Sequence, residues 1–248
     1  MNGTIKTLVK EQQAWIRFEH PAGNSLPSPL LKQLNDALIS ADKNPEVKVI
    51  VICSGGEKAF CGGASLTELK TLKEIEAAKS FFMGFATLIN TMRQLSKFII
   101  ARVHGKIVGG GVGLVSACDY AIAQNTAAIK LSELSIGLGP YVIEPAVSRK
   151  IGKTAFAQLS LEAHEWKSAS WGVAKGLYVK EVPDVSKLDT EVKEMAIRLA
   201  SYDALAIKTL RKLHWKETDH WDQLLVHNAQ ITGKLALENA TQKILKSL

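Results

Sequence analysis

Two short glycine-rich stretches carry the residues of this chain best suited to chemistry. One is Glu57-Lys58-Ala59-Phe60-Cys61-Gly62-Gly63-Ala64-Ser65, and the other is Gly105-Lys106-Ile107-Val108-Gly109-Gly110-Gly111-Val112-Gly113-Leu114. Each lies where an apolar, strand-like run gives way to a helix signal. After the first, Ser65-Leu66-Thr67-Glu68 fits a capping box. After the second comes the small-residue helical segment Val112 to Cys118. A helix start exposes backbone N–H groups and the positive end of the helix dipole, and glycine lets an anion or a polarised carbonyl approach the main chain. Two readings stay open here, a close-packed turn and a donor site.

The familiar glycine signatures are absent. Neither Gly109-x-Gly111-x-x-Leu114 nor Gly111-x-Gly113-x-x-Ser116 closes with the glycine a dinucleotide fold needs. Gly152-Lys153-Thr154 has Val147 where a phosphate loop needs its first glycine. The three cysteines, Cys53, Cys61 and Cys118, sit in or beside apolar runs and read as reduced packing residues, and the six histidines are scattered, so no metal site is expected. A formal charge of +7 favours an anionic partner, but the lysines are dispersed without interleaved aromatics, which argues against nucleic acid. The N-terminal ten residues lack a signal-peptide core and no apolar span of membrane length occurs, so a soluble cytoplasmic protein is expected, with no membrane partner.

Elements that could hold these loops follow from periodicity. Ile5 to Val9 and Ala14 to Phe18 alternate as hairpin arms joined near Glu11-Gln12-Gln13. Ser28-Pro29 offers an N-cap and a first-turn proline to a helix with Leu30, Leu31, Leu34, Leu38 and Ala41 on one face. Val47 to Cys53 is a nearly continuous apolar run, the mark of a buried parallel strand. A long amphipathic helix is expected over Lys73 to Gln94, then a strand from Phe98 to Val103 leading into the second glycine stretch. Short strands follow at Asp119 to Ala123 and Ala128 to Leu131, then a loop from Ser132 to Tyr141 and a helix begun by Glu144-Pro145. The alternation argues for an α/β domain. From about Leu188 the chain turns helical, ending in one run from His220 to Leu248 whose apolar residues must pack on the body or a neighbour.

The two glycine loops, with Val103-His104-Gly105, Gly109-Gly110-Gly111, Cys118-Asp119, Leu131-Ser132-Glu133 and Gly137-Leu138-Gly139-Pro140, resemble the enoyl-CoA hydratase/isomerase (crotonase) superfamily over essentially the whole chain. The resemblance implies an α/β fold, a crotonase-like spiral of β-β-α units, with residues 1–187 as the acyl-CoA-binding core. Residues 188–248 become a helical region for trimerisation, giving a homotrimer or a dimer of trimers. It implies that the amides of Ala64 and Gly110 bind an acyl-CoA thioester oxygen, fixed donors worth about 3 kcal/mol each once charge develops there. Lys58, Gly62, Gly63, Gly109, Gly111, Pro140 and Tyr141 become substrate contacts. No metal or other cofactor is implied, coenzyme A being part of the substrate.

Hydratases of this superfamily pair two glutamates. Glu133 matches the second, while Gly113 stands at the first position. Addition of water divides proton work between two carboxylates, whereas a double-bond shift needs one base that takes a proton and returns it. Tyr141 and Glu144 lie in the following loop; relatives place an acid or a tyrosine there, and Glu144 also suits a plain helix start beside Pro145. The resemblance therefore implies an acyl-CoA hydratase or isomerase with Glu133 as the main acid/base residue. The alternatives are a catalytically weak acyl-CoA-binding or scaffold subunit and a decarboxylase or thioesterase.

Overall fold

The computed structural model describes residues 3–247. Strands β1 (Thr4–Lys10) and β2 (Gln13–Glu19) form the opening hairpin, with Lys10 opposite Gln13. Its turn is only Glu11 and Gln12, at φ of 52° and 61°, the left-handed pair whose twist matches a two-residue hairpin. Gln13, expected in the turn, already belongs to β2.

Helix α1 (Ser28–Lys43) buries the five apolar residues read from its periodicity. Its start differs from expectation, for Ser28 is the first helical residue and Pro27 precedes it without a side-chain cap. Ser28 donates its N–H (2.8 Å) and its hydroxyl to the Glu68 carboxylate. That contact also halves the expected capping box. Ser65 Oγ does accept from the Glu68 N–H at 3.2 Å, but the Glu68 carboxylate neutralises the positive end of α1 instead of folding back.

The chain then makes three similar passes. Strand β3 (Val49–Ser54) leads to β4 (Ala59–Cys61) and the short helix α2 (Leu66–Leu69); helix α3 (Ile75–Gln94) carries the chain back to β5 (Phe98–Val103), β6 (Lys106–Val108) and α4 (Gly110–Ser116); β7 (Tyr120–Gln124) leads to β8 (Ala128–Lys130) and a 3-10 turn, Leu134–Ile136. Each pass gives one strand to each of two sheets. The larger runs β1-β2-β3-β5-β7 and is closed by β10 (Lys180–Val182), parallel from β2 onward; the smaller runs β4-β6-β8 in parallel, with β9 (Lys167–Ser168) antiparallel at its edge. All six β3 residues are buried, as two covered faces require. Strand β6 falls within the stretch read as pure loop, because three residues are too few to leave a periodic signal.

Helices α5 (Glu144–Ile151), α6 (Lys153–Leu161) and α7 (Ala169–Ala174) complete the core. One face of the large sheet packs on α1, α3 and α4 through Ile16, Ile50, Ile52, Leu34 and Ile89. Helix α8 (Val185–Ala200) covers the other face, its Leu188, Val192 and Ala196 against Val49, Val51 and Ile100. The change of character read near Leu188 thus falls inside a helix of the sheet's own packing layer. Helices α9 (Ala204–His214), α10 (Trp221–Leu237) and α11 (Asn239–Ser247) follow; the tail expected as one run breaks at Glu238, which is extended. α10 lies along α3, where Arg93 meets Asp222 at 2.5 Å. Arg211 of α9, 1% exposed, donates to the Met92, Arg93 and Leu95 carbonyls and to Asp119. Among the described residues no helix is long and apolar enough to cross a membrane, and no group of three or more His, Cys, Asp or Glu could hold a metal ion.

Candidate active site

Because β4, β6 and β8 are adjacent and parallel, the segments leaving their carboxyl ends converge. These are Gly62 to Ala64, Gly109 to Gly110, and Leu131 to Glu133. The first two nearly touch. A Cβ at Gly63, whose φ is +81°, would stand 2.7 Å from the Val108 carbonyl and 3.2 Å from the Gly110 nitrogen. Gly63 instead gives its carbonyl to the Leu26 N–H at 2.8 Å. Among the described residues neither the Ala64 nor the Gly110 amide donates to a backbone acceptor in a turn, loop or cap. Gly110 is the first residue of α4, where no intrahelical acceptor exists. Two unspent donors therefore stand on abutting loops.

Glu133 follows β8, with its backbone locked by the 3-10 turn: its carbonyl accepts from the Ile136 (3.2 Å) and Leu138 (2.9 Å) amides. The Gly109 N–H donates to the Lys130 carbonyl at 2.9 Å, binding the second glycine loop to the third strand end. Gly109, at φ +51°, leaves room for the carboxylate, since a Cβ there would lie 2.7 Å from Glu133 Oε1. Oε2 is buried without a hydrogen-bond partner. Removal from water pushes this carboxyl up from an ordinary 4.5 to about 7, since burial penalises the charged form.

These groups share a cavity of about 720 Å³, including its open mouth. Gly62, Gly63, Ala64, Gly109, Gly110, Glu133 and Pro140 all line it. Four residues expected at the site lie outside its lining. Lys58 is exposed, with its carbonyl held by the Lys106 N–H at 3.1 Å. Gly111 is buried against Cys61. Tyr141 is 41% exposed, and its carbonyl accepts from Asn228 Nδ2 at 2.8 Å. Glu144 is half-buried at the start of α5, next to Pro145.

Most of the remaining wall is hydrocarbon, supplied by Leu66 and Leu69 of α2, Phe82 and Phe85 of α3, and Ile136, Leu138, Val142 and Ile143, with Ser132 the polar neighbour of Glu133. Among the described residues Glu133 is the only titratable one in the lining. At Gly113 there is no space for a side chain, because a Cβ would come within 2.7 Å of Ile143 Cβ and closer still to its Cγ2. Sequence reasoning missed Ile143 and the C-terminal share of the site. Thr232 of α10 lines the cavity, while Asn228 and Thr241 hold the loop after Glu133, Thr241 Oγ1 donating to the Gly137 carbonyl at 3.0 Å. Asn228 and Thr232, one turn apart on the buried face of α10 among Leu225, Ala229 and Ala236, were the available signal.

Residues 9–245 match the family model described as Enoyl-CoA hydratase/isomerase. The chain is 30% identical over 186 residues to a short-chain-enoyl-CoA hydratase of Clostridium acetobutylicum, covering 75% of this chain and 70% of that one. It is 28% identical over 201 residues to a crotonyl-CoA hydratase of Syntrophomonas wolfei, covering 80% and 76%. Its fold matches a crystal structure of an enoyl-CoA hydratase from Bacillus halodurans with a TM-score of 0.91 over 98% of this chain and 99% of that one, at 20% identity.

Proposed function

The chain belongs to the enoyl-CoA hydratase/isomerase family, and from that premise we propose that it processes an acyl-CoA thioester by proton transfer through Glu133, with the Ala64 and Gly110 amides holding the thioester oxygen. The observation that carries the reading is a half-buried carboxylate with one oxygen buried and unpartnered, beside two unspent backbone donors in a largely apolar cavity. A carboxyl poised near 7 is half ionised at neutral pH, so it both takes and gives a proton readily. Removing a proton from Cα puts negative charge on the thioester oxygen, and each fixed donor then lowers the barrier by about 3 kcal/mol.

For a 3-enoyl-CoA, Glu133 takes a Cα proton, the electron pair spreads over the dienolate, and the proton returns at Cγ to leave the 2-enoyl-CoA. One carboxylate suffices for that shift. The hydrocarbon at Gly113 and Ile143, and the exclusion of Glu144 from the lining, favour it over water addition. The second reading is hydration of a 2-enoyl-CoA, favoured by the names of the relatives in Clostridium acetobutylicum and Syntrophomonas wolfei. Neither reading calls on a metal or a redox cofactor. Assembly into trimers is part of the proposal, supported by Leu205, Leu210 and Leu213 standing exposed on α9.

Turnover of crotonyl-CoA and of 3-hexenoyl-CoA, measured side by side, separates the two readings. Glu133→Gln keeps shape but loses the proton acceptor, so turnover should fall by about two to four orders of magnitude with little change in thioester affinity. Glu144→Gln should be mild for the shift and severe for hydration. Full activity in Glu133→Gln on both thioesters would refute Glu133 as the acid/base residue.

A further inference from the structure

Gly109 and Gly113 are joined by the first hydrogen bond of α4, Gly113 N–H to the Gly109 carbonyl at 3.3 Å. Gly109 is the N-cap of α4, in a left-handed backbone conformation, and Gly113 is the fourth residue of the helix. Against the first lies the Glu133 carboxylate, and against the second the Ile143 side chain. Ile143 is 3% exposed and lines the same cavity. The missing Cβ at Gly113 lets Ile143 pack directly on α4, in the wall of the cavity that Glu133 also lines.

We infer that Ile143 is a specificity-determining residue: wedged against Gly113, it denies water the place beside Glu133, so that a proton taken by Glu133 goes back to the acyl chain rather than to solvent. The inference rests on the proton-transfer reading of Glu133. Its physical content is that hydrocarbon offers a carboxylate no hydrogen bond and offers water none either, so the side of the cavity that Ile143 fills stays dry. No other charged side chain lines the cavity to share that work. On the elements around it, Glu68 of α2 is spent on Ser28, Glu144 lies outside the lining, and Lys130 comes to this loop through its carbonyl.

Ile143→Ala removes enough volume to admit a water, while Ile143→Val is the conservative control. With 3-hexenoyl-CoA deuterated at C2, the wild-type protein should carry a substantial fraction of the label to C4. Ile143→Ala should lose at least about fivefold of that retention to solvent, with Val close to wild type. A second readout needs no turnover. Carbon-13 NMR titration of the Glu133 carboxyl in the free protein should move from about 7 toward the ordinary carboxylate range in Ile143→Ala, and stay in Ile143→Val. Equal retention and an equal titration midpoint in wild type and Ile143→Ala overturn the wedge. Should the wild type shift no double bond, the proton-transfer reading fails by itself, and the carboxyl titration still decides whether Ile143 keeps Glu133 dry.

Discussion

Glu133→Gln should shift the stability of the ligand-free protein in the variant's favour as pH rises, while it abolishes proton transfer. In the folded chain the carboxyl titrates at about 7, in the unfolded chain near an ordinary 4.5. Between those values the folded state keeps a proton that the unfolded state has released, so stability falls as pH rises through the interval, and the loss is complete above about 7. An interval of about 2.5 at about 1.4 kcal/mol per pH unit gives a cost of about 3 kcal/mol at alkaline pH. At pH 5 less than about 1 kcal/mol of it has appeared. The amide does not titrate. It brings its own cost as an unpartnered polar group, about 1–3 kcal/mol, but that cost is the same at both pH values and cancels. Urea unfolding of both proteins at pH 5 and pH 8 should therefore show the difference between variant and wild type moving in favour of the variant by about 2–3 kcal/mol, or about 4–10 °C in Tm. A difference independent of pH would refute the reasoning, because the carboxylate would then be as well solvated as in the unfolded chain and no longer poised for proton transfer.

Other perturbations follow from the same geometry. Gly63→Ala puts a Cβ on the Val108 carbonyl at a φ of +81°, so it should separate the two donor loops and lower kcat/KM by at least about tenfold, with far-UV circular dichroism unchanged. Arg211→Met leaves the buried Asp119 carboxylate without its cation and three carbonyls without their shared donor. It should cost about 3–5 kcal/mol in denaturant unfolding, and a loss below about 1 kcal/mol would mean that α9 is not anchored there.

The sequence by itself determined whatever depends on local spacing. The 2-residue alternation of β2, the apolar run of β3 and the apolar face of α1 all appear where their patterns put them, because burial of one face is written in periodicity. The two glycine loops were legible for a similar reason, since glycine marks where the chain must turn or be approached closely. Partnership across the chain was not legible. Glu68 read as the second half of a local cap and serves Ser28, forty residues earlier, because a charged helix end in space outcompetes an amide in its own turn. The long helical tail read as something apart, yet Leu188 packs on the central sheet, and Thr232, Asn228 and Thr241 close and brace the cavity. Glu133 was visible as a residue type. Its partial removal from water was not, because that depends on Gly109 just before α4 and Gly113 within it receiving a carboxylate and an isoleucine from a segment twenty to thirty residues later. Desolvation is a property of everything that surrounds a group at once, and only the folded chain brings those surroundings together.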